Sequence, residues 1–124
     1  MKNNEVENKN VDVYTEIELR GKTYRMYFNL NVMQSLQKKY ESFDAWIDLV
    51  QPKGKKEPDI EALIFGFSEM INEGIDIYNE EHEDKINFFT EKQIGRIITE
   101  LGIENLNSKL TETVLNATKT QTKN

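Results

Sequence analysis

The sequence has no cysteine, a single histidine, only two prolines and no long hydrophobic run. Without cysteine it can form neither disulfides nor thiolate metal sites, so packing must stabilise the fold, as in a reducing cytoplasm. A membrane span needs roughly 18 consecutive apolar residues, and no segment approaches that length. A second histidine, a thiol and a Gly-x-Ser-x-Gly motif are also missing, so no nucleophile with its base can be recognised. We therefore predict a protein that is neither membrane-spanning nor an enzyme.

Basic residues are in the minority. Sixteen Lys and Arg stand against 22 Asp and Glu, a formal net charge of -6, which repels phosphate backbones unless the cations cluster. Lys53, Lys55 and Lys56 do cluster, but no aromatic residue is interleaved with them as in a single-strand binding platform. A solvated loop is the preferred interpretation, and contact with an acidic partner or a phosphate is the alternative. Nucleic acid is not expected as a partner.

The length of 124 residues suits a single domain with one core. Residues 1–12 and 119–124 are polar and have no apolar period. We therefore predict disordered ends on either side of one domain at about 13–118.

A β-hairpin is predicted at about residues 13–28. Apolar and polar residues alternate on either side of Arg20-Gly21, which can form a two-residue turn. Counting outward from this turn places Ile17 opposite Tyr24 and collects most apolar side chains on one face.

Five helices are predicted after the hairpin, because apolar residues recur at helical spacing behind capping residues. They are expected at about 31–40, 42–50, 59–79, 90–101 and 104–118. Asn31 with Gln34 resembles a capping box for the first helix, and Thr90 with Gln93 resembles one for the fourth. The longest helix has a broad apolar stripe that starts at Ile60, so it should be central. The predicted fold is α+β, mainly α: one hairpin followed by a bundle of four to five helices.

Gly66, Gly74 and Gly95 are scattered through the predicted helices and form no phosphate-binding loop. Glycine weakens a helix interior, so it needs another reason to be there. We predict that each of the three permits a close helix contact.

The only histidine, His82, lies among Glu80, Glu81, Glu83 and Asp84. Oxygen ligands of this kind can hold a divalent cation, which leaves a small metal-dependent enzyme as one alternative function. The spacing lacks the alternating Asp and Asn residues, central glycine and terminal glutamate of a calcium loop. A solvated acidic loop is preferred, and no catalytic, cofactor-binding or metal-binding residue is assigned.

A domain this small has limited core volume, so some large apolar side chains should remain exposed. Five that lie outside the main apolar stripes form the candidate protein-binding surface: Tyr14, Tyr27, Phe65, Phe88 and Leu115. For any one of them taken singly, ordinary core placement or scattered surface placement is the preferred interpretation.

Three segments resemble the tail assembly chaperones of long-tailed phages and prophages of Gram-positive bacteria. They are IELRGKTYRM at 17–26 with FNLN at 28–31, EMINEGIDIYNE at 69–80 and FTEKQIGR at 89–96. Each is common alone; their order and spacing over about residues 17–115 support the resemblance. It implies a non-enzymatic protein encoded near the tail tube and tape measure genes, acting in the host cytoplasm and absent from the mature virion.

The resemblance also implies partners. Such chaperones are thought to coat the tape measure protein and to help recruit the tail tube protein, sometimes with a longer, frameshifted version of themselves. Further copies of the chain, as a homo-oligomer, are another expected partner. A small acidic domain with exposed apolar side chains suits this role, because a long apolar helical client would aggregate alone. A different phage protein, in head–tail joining or inhibition, is the runner-up, and gene neighbourhood separates the two.

Overall fold

The computed structural model describes the backbone of residues 13–122 and the side chains of residues 13–118. The disordered ends predicted at 1–12 and 119–124 therefore lie outside the described side chains, although the backbone of 119–122 continues the last helix.

Within this part of the chain, an antiparallel hairpin is followed by five helices, which confirms the predicted α+β, mainly α fold. The strands are β1 (Thr15–Leu19) and β2 (Lys22–Met26), and the helices are α1 (Leu30–Tyr40), α2 (Phe43–Val50), α3 (Ile60–Glu81), α4 (Glu91–Leu101) and α5 (Ile103–Thr122). None of the described helices combines the length and apolar character needed to cross a membrane.

The hairpin has the predicted register, with Ile17 opposite Tyr24. Arg20 and Gly21 have φ angles of 52° and 82°. Two consecutive positive φ angles are typical of a type I′ turn, whose twist matches that of the strands. Alternate residues of β1 are buried, as predicted, but the ladder covers residues 15–26 and not the whole of 13–28.

The turn of the hairpin is joined to α4 by an ion pair between Arg20 and Glu100. The guanidinium Nη2 donates to Oε2 at 2.7 Å and Nε donates to Oε1 at 3.3 Å. This hydrogen bonding lowers the pKa of Glu100 below its ordinary value. Both side chains are more than half exposed, so the pair orients the turn more than it stabilises the fold.

Strand β2 packs against α3 at Gly74. A Cβ added there would lie 1.9 Å from the carbonyl oxygen of Arg25, so only glycine permits this contact. Two residues further along, the Tyr27 N–H donates to the Met70 carbonyl of α3 at 3.2 Å. The close contact predicted at Gly74 is confirmed, and it fixes the hairpin on the central helix.

Helix α3 also packs closely on α2. A Cβ added at Gly66 would lie 2.2 Å from the ring of Trp46, and the indole Nε1 donates to the Ala62 carbonyl at 3.0 Å. The prediction for Gly66 is therefore confirmed. The prediction for Gly95 is wrong, because a Cβ there would meet Ile64 Cδ1 at an ordinary 3.8 Å, so this contact does not require glycine.

Three of the predicted N-caps are confirmed. Side-chain oxygens of Ser42, Asp59 and Thr90 accept backbone N–H groups at the starts of α2, α3 and α4. Thr90 and Gln93 form the complete predicted capping box. Helix α3 continues to residue 81, two residues past its predicted end.

The predicted cap of α1 is wrong. Asn29, not Asn31, accepts the Val32 N–H through its side chain, at 3.2 Å, so the helix begins earlier. The Asn31 amide donates instead to Glu73 of α3, at 3.0 Å. Of the two asparagines, the one that immediately precedes the helix is therefore its cap, and Asn31 lies in the first turn.

Candidate protein-binding surfaces

The five residues predicted as a protein-binding surface do not form one patch. Phe88 and Leu115 are 52% and 56% exposed, whereas Tyr27 is 3% exposed. Tyr14 and Phe65 are half-buried. Tyr14 and Tyr27 contact each other, with ring centroids 5.6 Å apart. In the described part of the chain, no aromatic contact joins any other two of the five.

Tyr27 is buried, so its predicted exposure is wrong. Its backbone is tied to Met70 of α3, which holds the side chain against the helix. The ring of Tyr14 packs against that of Tyr27, and the guanidinium of Arg25 lies 4.2 Å from the Tyr14 ring centroid. A cation over a ring face is a favourable contact.

Phe65 packs against the core instead of projecting from it. Its ring meets Tyr40 of α1 edge-on, at 5.9 Å between centroids and 73° between planes. The ammonium of Lys39 lies 5.0 Å from its centroid. Phe65 lies off the apolar stripe of α3, but α1 covers that side of the helix, so only part of this ring is available to a partner.

Phe88 is presented by an extended segment that runs back along α3. Asn72 accepts the Phe89 N–H at 2.9 Å and donates to the Phe89 carbonyl at 3.1 Å. Asn79 does the same for Ile86, at 2.8 and 3.0 Å. The exposed Phe88 side chain therefore has fixed backbone on both sides.

The spacing of these two asparagines matches the segment that they hold. Seven residues of helix from Asn72 to Asn79 rise about 10.5 Å, and three extended residues from Ile86 to Phe89 span about 10 Å. Each amide pairs with one peptide as a neighbouring strand would. A side chain held on such a segment loses little backbone entropy when a partner binds it.

A second apolar surface, absent from the sequence prediction, lies between the end of α2 and the start of α3. Leu49 and Ile60 are 37% and 50% exposed there. The Asp59 N–H donates to the Leu49 carbonyl at 2.9 Å and brings the two together. With Pro52 and Pro58 they line a depression of about 740 Å³, named here the loop groove. The placement of Ile60 in the buried stripe of α3 was therefore wrong.

Lysines lie along the rim of the loop groove. Lys53 and Lys56 line it, and Lys55 lies between them on the same exposed loop. None of the three takes part in a hydrogen bond or ion pair with any described residue. Their charges are therefore available to a partner.

Four carboxylates line the same groove, but two of them are already engaged. Asp59 accepts the Ala62 N–H as the cap of α3, and Glu61 lies 3.4 Å from a lysine ammonium of α1. Asp48 and Glu57 remain unpaired against three lysines. With Lys39 counted beside Glu61, four lysines face four carboxylates, and the three loop lysines place their positive charge along the rim of an apolar floor.

The turn after α3 is ordered by contacts of its own. His82 stacks on Tyr78 with ring centroids 3.8 Å apart, and its Nδ1–H donates to the Tyr78 carbonyl at 2.9 Å. The Tyr78 hydroxyl donates to Asp84 at 2.9 Å, which raises the pKa of Tyr78. Lys85 donates to the Asn79 carbonyl at 2.6 Å and so caps the end of the helix.

Residues 80–84, named here the acidic turn, include four carboxylates. No group of three or more His, Asp and Glu side chains placed to hold a metal ion is found among the described residues. His82 is occupied by the helix end. Glu80 and Glu83 are exposed and pair with no described residue.

A third surface is the cleft between β2 and the C-terminal half of α3, named here the hairpin cleft. It has a volume of about 410 Å³ and is lined by tyrosine and isoleucine side chains with charged residues among them. The apolar lining includes Tyr24, Ile77, Tyr78 and Ile86, and the predicted residue Tyr27 contributes to its wall. This volume is in the usual range of binding pockets, about 300–1,000 Å³.

Comparison of the chain with protein-family models, with curated proteins and with solved structures finds no match in any of the three.

Proposed function

We propose that this protein is a phage tail assembly chaperone, which binds the tape measure protein and assists assembly of the tail tube. The observation that best supports it is that six large hydrophobic side chains are between 37% and 78% exposed: Leu30, Leu49, Ile60, Phe88, Ile103 and Leu115. Two of them meet in the loop groove, and apolar residues gathered in a concave surface are typical of protein-binding sites.

The hairpin cleft is the proposed site for the client. An amphipathic helix binds by placing apolar side chains three and four residues apart into a groove. The cleft offers Ile77 and Ile86 for such contacts, with tyrosine hydroxyls and charged side chains at its edge. A tape measure segment of this kind would have its apolar stripe covered while bound.

Net charge supports the same role. Two copies of a chain with a net charge of -6 repel each other at long range. Client molecules covered with such domains would repel one another in the same way. They would therefore stay in solution until the tail tube assembles around them. The proposed site of action is the host cytoplasm, with the tail tube protein and a longer, frameshifted version of the chain as further partners, and the protein is not expected in the mature virion.

Co-expression with a tape measure fragment tests the proposal. We expect the fragment to remain soluble and to co-purify with the chaperone. Ile77→Asp places a charge in the hairpin cleft and should abolish this effect, because a buried unpaired charge opposes apolar binding. Asp76→Ala changes the exposed neighbour and serves as the control. If the fragment precipitates equally with and without the protein, the proposed function is wrong.

A further inference from the structure

The two ends of α3 differ in charge and in shape. The loop groove and its three lysines lie at the N-terminal end, and the acidic turn lies at the C-terminal end. A helix of 22 residues is about 33 Å long, whereas charges are screened over about 8 Å at physiological salt. The lysines and the acidic turn therefore do not neutralise each other within one copy of the chain.

An exposed aromatic side chain accompanies the acidic turn. Phe88 lies four residues after Asp84 and is 52% exposed, on the segment that Asn72 and Asn79 hold. The loop groove has the matching features, an apolar floor with Leu49 and Ile60 exposed. An aromatic anchor in an apolar depression, with charged residues at the rim, is the usual arrangement of a strong binding site.

We propose that the loop groove of one copy receives Phe88 of a second copy, with the second copy's acidic turn against Lys53, Lys55 and Lys56. The proposal rests on this complementarity and is independent of the proposed function. Two copies with antiparallel α3 helices could make the contact twice and close as a dimer. If instead each copy's groove received Phe88 of the next copy, in a head-to-tail arrangement, the copies would form an open chain.

Charge reversal at either end tests the contact. In Lys53→Glu/Lys56→Glu both ends of α3 are acidic, and in Glu80→Lys/Glu83→Lys the two new lysines balance Glu81 and Asp84, so the acidic turn loses its net charge. We expect each variant alone to self-associate at least about tenfold more weakly than the wild type, because the attraction between the lysines and the acidic turn is reversed in the first variant and removed in the second. An equimolar mixture should recover association, since the unchanged lysine loop of the second variant then meets the unchanged acidic turn of the first. Sedimentation velocity measures the masses.

Phe88→Ala tests the aromatic anchor separately from the charges. Loss of an anchor side chain typically weakens an interface by about thirtyfold or more. Leu115→Ala is the matched control, because Leu115 is 56% exposed but is not among the residues that line the loop groove or that hold Phe88. Because all these positions are exposed, thermal melts followed by circular dichroism should be unchanged in the variants. Raising the salt concentration should weaken association of the wild type, a test that does not depend on any variant.

Three results would overturn the proposal. One is a wild-type chain that stays monomeric at the highest attainable concentration. Another is association that survives both charge reversals, or a mixture that fails to recover it. The third is a chain that does not self-associate but whose loop groove binds an unrelated peptide with acidic and aromatic residues. That result would assign the groove to a different partner.

Discussion

Replacement of Gly74 with alanine would place a methyl carbon 1.9 Å from the carbonyl oxygen of Arg25. Carbon and oxygen approach to about 3.3 Å at closest, so β2 must withdraw by about 1.4 Å. That movement breaks the hydrogen bond from the Tyr27 N–H to Met70, 3.2 Å long in the native fold. It also loosens the packing of Met26, which has no exposed surface.

The cost follows from these changes. A buried donor without a partner costs about 1–3 kcal/mol, and strain from an overfilled contact costs about 1–3 kcal/mol. The better helix propensity of alanine offsets about 0.5–1 kcal/mol. We therefore expect Gly74→Ala to lower the free energy of unfolding by about 3 kcal/mol.

Urea unfolding followed by circular dichroism measures the effect, and Gly95→Ala is the control. A Cβ at Gly95 meets Ile64 Cδ1 at 3.8 Å, so that variant should gain about 0.5–1 kcal/mol from propensity alone. Equal m-values would show that both variants unfold in the same way. Should Gly74→Ala prove as stable as the wild type, or Gly95→Ala as damaged as Gly74→Ala, the argument from close packing is refuted.

Three further predictions follow from single contacts. Asn72→Ala should cost about 1–3 kcal/mol in urea unfolding, because it leaves the Phe89 peptide without partners; a cost near zero would show that the segment needs no tether. Tyr27→Asp should unfold the domain while Leu115→Asp leaves its thermal melt unchanged, and equal melts would contradict their assigned burial. The lowered pKa of Glu100 means that its stabilising contribution is present at neutral pH and lost as pH falls through that pKa. The difference in urea midpoint between wild type and Glu100→Gln should therefore shrink between about pH 6 and pH 3, and a constant difference would show that the ion pair does not matter.

The hairpin and most helix starts could be predicted because local chemistry specifies them. The turn at Arg20 and Gly21 needs positive φ angles, and the alternation around it leaves one register with the apolar residues inside. Caps such as Ser42 and Thr90 act within one turn of helix, so their partners are three residues away. Contacts between residues only a few positions apart can be predicted from a single sequence.

Contacts between distant segments could not be predicted in this way. A glycine within a predicted helix indicated a close contact at Gly74, yet it could not identify Arg25 as the residue that needs the space. Tyr27 was misplaced for the same reason, since its burial depends on a hydrogen bond to Met70, 43 residues further along the chain. Asn31 was taken for a cap because nothing local revealed its bond to Glu73.

The binding surfaces were hardest to predict because most exposed apolar side chains stand at the ends of helices. Leu30, Ile60 and Ile103 are the first residues of their helices, and Leu49 is the last but one of its own. A periodic stripe identifies the face that points inward but not how far along the helix the core extends. An apolar residue past the end of the core still lies on the inward-facing stripe, but no neighbouring element buries it. Apolar residues within one turn of a cap are therefore better candidates for partner contacts than those that merely lie off the stripe, as Phe65 does.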